Sequence, residues 1–88
     1  MTNSYIECIE RDIERQMKYM KLENILTHSQ SKLDSMKLWG QKSLPIFISG
    51  YIESLMDIPS SLDERFHYEK AIGKKTKEVL EYASTLNK

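Results

Sequence analysis

The residues able to do chemistry are few in this chain of 88, which holds one cysteine and two histidines. Glu64 and His67 form an E-x-x-H pair one helical turn apart. Carboxylate-bridged di-metal bundles use that spacing because it points both ligands inward from one helix, but they need two such motifs and two further glutamates. Only one is present, so no metal and no cofactor are expected. Neither His28 nor His67 stands in an H-x-E or H-E-x-x-H context, the spacings that bring zinc ligands and a general base together. There is no nucleophile elbow and no Gly-rich oxyanion turn, and Gly40, Gly50 and Gly73 are too scattered to cradle a phosphate. No catalytic residue is assigned, and the chain is read as a non-enzyme without a small-molecule substrate. Cys8 has no second cysteine to pair with and reads as a small boundary hydrophobe on a helix.

What remains is surface chemistry. Lys and Arg total 13, Asp and Glu also 13, for a formal net charge of zero. A nucleic-acid binder draws its affinity from surplus cations that neutralise phosphates, so that role is disfavoured. Low net charge also leaves self-association unopposed. Lys74, Lys75 and Lys77 read as solubilising groups on a long helix. Glu53, Asp57, Asp63 and Glu64 lie within twelve residues with no base among them. Asp63 and Glu64 suit a helix N-terminus, where the macrodipole favours anions, whereas Glu53 and Asp57 sit at the wrong end of their helix. Charges placed against a dipole point to another use, the attraction of a basic partner. Tyrosine is a common interface anchor, and Tyr51 and Tyr68 are the nearest to this acidic run. Tyr68, with Tyr19, falls off the apolar stripes described next, which marks both as surface candidates.

The elements that must position these groups are helices. Asn3 or Ser4 is placed to cap a first helix whose Ile6, Ile9, Ile13, Met17 and Met20 recur every three or four residues. Glu7–Arg11 and Glu14–Lys18 are attractive i,i+4 pairs on its outer face. The helix is expected to end between Lys21 and Thr27, with Asn24 as the break. The polar run Thr27 to Ser31 reads as a loop or cap, because short polar side chains compete for backbone groups. Leu26, Leu33 and Met36 belong either to a second helix starting near Thr27 or to an extension of the first; the helix runs to about Trp39, with Gly40 as its left-handed C-terminal residue. Trp39 reads as a core plug, an exposed anchor being the alternative.

Ser43 is placed to cap a third helix with Pro45 in its first turn. Leu44, Phe47, Ile48, Tyr51, Ile52, Leu55 and Met56 make this helix apolar around most of its circumference, so it is expected to be the central one. Gly50 suggests a close helix crossing. After Pro59, Ser61-Leu62-Asp63-Glu64 matches a capping box, and Ile58 and Leu62 are positioned to pack on each other. The last helix carries Leu62, Phe66, Ile72, Thr76, Val79, Ala83 and Leu86, and periodicity that stays in step across Gly73 favours one long helix, with a break or kink there as the alternative.

No alternating β-run or hairpin dipeptide occurs. The N-terminus lacks the basic and apolar regions of a signal peptide, and Leu44 to Ile58 falls short of a spanning helix. The sequence thus implies one all-α domain over residues 1–88, a three- or four-helix up-and-down antiparallel bundle, cytoplasmic and not membrane-bound. Its expected function is non-catalytic binding of a protein. The most concrete form is a small inhibitor, of the immunity or antitoxin type, that neutralises a basic partner such as a nuclease toxin. The alternatives are a homo-oligomeric adaptor or structural protein, a homodimer for instance, and a small DNA-binding regulator.

Overall fold

A computed structural model describes residues 2–37 and 42–86, with side chains from Ser4 onward. The described residues form four helices: α1 (Thr2–Lys18), α2 (Leu22–Ser35), α3 (Ser43–Leu55) and α4 (Leu62–Leu86). Among the described residues there is no strand, and no helix is long and apolar enough to cross a membrane. The chain is an all-α helical bundle.

At its heart Ile25 of α2, Ile48 and Ile52 of α3, and Val79 of α4 are fully enclosed, with Leu26 and Ile72 beside them. All but Leu26 are β-branched, with few χ1 states to lose on burial, and their spacing aligns them on one face of each helix. The centre is not α3. Each of the other helices packs on α4, and α1 packs on α4 alone. Helix α4 is 25 residues long, about 37 Å, and serves as the common wall. The radius of gyration, 14.4 Å, exceeds the ~12 Å of a compact chain of this length. The excess fits a three-helix core, α2–α3–α4, with α1 laid along its outside. Helix α3 is only half enclosed, and Ile46 and Leu55 stand exposed on it.

Several boundaries differ from the sequence reading. Helix α1 stops at Lys18, and a three-residue turn, Tyr19-Met20-Lys21, leads to α2, with Met20 N–H on the Met17 carbonyl at 3.0 Å. Asn24 and the whole Thr27–Ser31 run are helical. Leu22, Ile25, Leu26, Ser29 and Leu33 share one face, and burying that face outweighs the weak helix propensity of the short polar residues between them. Ser4 lies inside α1 rather than before it, and Lys42 rather than Ser43 flanks α3. Helix α2 ends at Ser35, with Lys37 in the left-handed region at φ 57°. Trp39 and Gly40, expected to plug the core and close this helix, lie outside the described residues.

Gly73 does not break α4, which is one long helix from Leu62 to Leu86, and Gly50 marks no close crossing. Both are exposed, and a Cβ at either would meet no atom within 4 Å. The capping box also differs. The Ser61 carbonyl accepts from Arg65 N–H at 2.9 Å, but Glu64 reaches across to Tyr5 instead of back to the cap. Leu62 does not pack on Ile58; it points to solvent while Ile58 joins the core edge.

Three stability changes follow, each checked by urea or thermal unfolding. Gly73→Ala gains about 1 kcal/mol, since it improves helix propensity without a steric cost. Lys37→Gly gains a similar ~1 kcal/mol by relieving a left-handed side-chain residue. Ile52→Ala loses about 2–5 kcal/mol, because the cavity opens where three helices meet.

Candidate functional site

Three places on the molecule gather polar or unpartnered groups. The first is the seam between α1 and α4. The Tyr68 hydroxyl donates to Asp12 Oδ2 and the Tyr5 hydroxyl to Glu64 Oε1. Gln16 spans two partners: its Nε2 donates to Asp12 Oδ2 at 2.9 Å, and its Oε1 accepts from Asp57 N–H at 2.7 Å. Arg15 closes an ion pair on Asp12 Oδ1. Further along, Ile13 and Met17 of α1 face Ala71 and Lys74 of α4. The pairings therefore climb both helices together, and α1 runs in the same direction as the first half of α4.

Tyr68 was expected on the surface as a partner anchor. It is 4% exposed, and its place is structural. The correction is a matter of phase. At ~100° per residue, Phe66 lies about 120° from Ile72, whereas Tyr68 lies about 40° from it. Counting back from Ile72 by four therefore puts Tyr68 in the core and swings Phe66 and Leu62 outward. Burial and the bond to Asp12 push the Tyr68 hydroxyl up to about 12. The Tyr68 hydrogen bond, with help from Arg15 and Gln16, holds Asp12 below the ordinary carboxylate value.

The second place is the turn from α3 to α4. Glu53, Asp57 and Asp63 are exposed there, and among the described residues no cation pairs with any of them. Glu64 is half-buried and taken up by Tyr5, so the expected acidic group of four is three free carboxylates and one occupied. Beside them stand Leu55, Leu62 and Phe66, exposed to 49%, 82% and 62%. Leu62 and Phe66 are one turn apart on a single face of α4, and Leu55 ends α3 just before the turn. Sequence reading missed this apolar element because Leu62, Phe66 and Leu55 had been assigned to the core.

The third place is a groove between α2 and α3 of about 380 Å³. His28, Ser29 and Lys32 line one side, and Ile46, Phe47, Gly50, Tyr51 and Ser54 the other. The His28 and Tyr51 rings stack with centroids 4.0 Å apart. Tyr51, the second expected anchor, is thus half-buried against a ring of its own chain and belongs to this groove. Tyr19, by contrast, stands free in the α1–α2 turn.

The remaining chemistry-bearing residues do not converge. His67 packs edge-on to Phe66 at 5.8 Å. Among the described residues no group of three or more His, Cys, Asp or Glu could hold a metal ion. Cys8, read as a boundary hydrophobe, is exposed. Lys75 pairs with Glu78 at 3.8 Å, and the Glu7–Arg11 and Glu14–Lys18 pairs do not close. No protein-family model, curated protein or solved structure matches this chain.

Removing the Tyr68 hydroxyl tests the seam. Tyr68→Phe loses about 1.5 kcal/mol at neutral pH, the worth of a hydrogen bond to a charged group. The folded value of Asp12 is depressed, so its share is present above 3.8 and is lost as pH falls through that lower value. The folded value of Tyr68 is raised, so its share is full below 10.0 and is lost as pH climbs towards 12. Urea midpoints of the two proteins should therefore differ by a constant amount between those limits and converge outside them.

Proposed function

We propose that this chain is a non-catalytic protein-binding module that captures a basic partner at the α3–α4 turn, in the manner of a small inhibitor. The observation that carries the reading is the pairing of three exposed apolar side chains, Leu55, Leu62 and Phe66, with three unpaired carboxylates, Glu53, Asp57 and Asp63, on one turn. Large apolar residues at the centre of an interface supply most of the affinity. Flanking charges steer the encounter and select the partner by sign. Neither set has an internal use here. Among the described residues the carboxylates make no ion pair, and the three hydrophobes lie outside the core cluster. A nuclease toxin is one basic partner of suitable charge, because such an enzyme must be cationic to hold its substrate.

The two components separate by experiment. With the chain immobilised and extract of its own cells applied at low salt, one basic protein is retained in equimolar amount. Glu53→Lys with Asp57→Lys slows association about tenfold and flattens its salt dependence. Leu62→Ser with Phe66→Ser speeds dissociation by ~30-fold or more. Retention indifferent to both double variants rejects the reading. So does a stable dimer in solution with nothing retained, which is the result a homodimeric adaptor would give.

A further inference from the structure

We infer that the groove between α2 and α3 is a binding site for a small anionic amphiphile, an apolar body carrying one carboxylate. It is a separate surface from the α3–α4 turn. Four features of the groove lead there. Its volume, 380 Å³, falls at the small end of the 300–1,000 Å³ typical of small-molecule sites. Its walls are mainly hydrocarbon and aromatic: Ile46 and Phe47 along α3, and the flat His28–Tyr51 stack across the gap. Gly50 lies between them with nothing within 4 Å of where its side chain would be, so α3 offers bare backbone to an occupant. Glycine in mid-helix is otherwise a loss of about 1 kcal/mol, and no helix crossing here requires it.

The polar groups define the ligand's head. Among the described residues, Lys32 is the one with a full charge that lines the groove, no acid lines it, and no ion pair engages Lys32. Ser29 sits one turn before it on the same face of α2. Ser29 is 1% exposed, and among the described residues its hydroxyl has no hydrogen-bond partner. A buried hydroxyl without a partner is costly and uncommon in a native interior. A carboxylate held by the Lys32 ammonium supplies the acceptor that this hydroxyl lacks, once the side chain rotates towards the groove. A neutral alcohol can accept from this hydroxyl but leaves the Lys32 charge unmatched, and a quaternary ammonium offers no acceptor and is repelled by Lys32. The class is therefore a carboxylate with a single hydrocarbon or aromatic tail.

Decanoate below its micellar concentration is the probe, with decanol and decyltrimethylammonium as neutral and cationic counterparts of equal chain length. Titration followed by amide chemical shifts gives saturable one-to-one binding of decanoate, with the largest changes at Ser29, Lys32 and Gly50. Decanol and decyltrimethylammonium bind at least tenfold more weakly. Lys32→Gln weakens decanoate about five- to tenfold. Gly50→Leu, which fills the groove, abolishes binding. Gly73→Leu, an equally open helical glycine on α4, leaves it unchanged and controls for any general loss of fold. The proposal is overturned by absence of saturation, by equal affinity for all three probes, or by indifference to both groove variants. It is also overturned if the same amides shift with protein concentration alone, the sign that a second copy of the chain occupies the groove.

Discussion

The structure depends on one constraint, that every helix must bury its apolar stripe against α4. A chain this short encloses few side chains, and Ile25, Ile48, Ile52 and Val79 at the α2–α3–α4 junction are the ones sealed best. Ile72 and Thr76 continue that face of α4. Thr76 donates to the Ile72 carbonyl at 2.8 Å, so the Ser49 hydroxyl, 2.9 Å away on α3, is the donor in the contact between them. This buried pair is satisfied within the protein and fixes the register of α3 on α4. The nearby Ser29 hydroxyl has no such partner, and that contrast singles out the α2–α3 side of the core.

Helix α1 is held differently. It adds Ile9, Ile13 and Met20 to the core, and the helix it packs on along its length is α4. Polar bonds at three levels, Tyr5–Glu64, Tyr68–Asp12 and Gln16–Asp57, set its position on α4 and on the turn before it. Hydrophobic burial is non-directional and would tolerate α1 sliding along α4. Hydrogen bonds with fixed partners do not. The seam also explains why Glu64 and Tyr68 take no part in the exposed surface, since both are spent on attaching α1.

The exposed surface is what the core leaves over. Only one face of α4 can meet α2 and α3, and Leu62 and Phe66 fall on the other. Leu55 lies at the end of α3, beside Asp12, Arg15 and Gln16 of α1. Three unpaired carboxylates border these side chains. The groove between α2 and α3 has the opposite character: among the described residues Lys32 is the one cation lining it, unpaired above an apolar floor. The two surfaces thus differ in charge as well as in shape, and they recruit different chemistry.

Helical class was written in the sequence, because apolar periodicity is a local property. The pattern allowed three or four helices, and α3 ends at Leu55, ahead of the expected stop at Ile58-Pro59-Ser60. The acidic run around the third turn was equally plain, and the structure leaves three of its four members free. Phase and partnership were not local. Whether Tyr68 or Phe66 faces inward depended on which residue the rest of α4 placed on the core side. Whether Thr27–Ser31 is loop or helix depended on the burial gained by Ile25, Leu26, Ser29 and Leu33. Gly50 and Gly73 look alike in sequence, and only the packing of α2 beside α3 sets one at the edge of a groove and the other in open solvent. Propensity is worth tenths of a kcal/mol per residue and burial several times that, so tertiary contacts decided wherever the two disagreed.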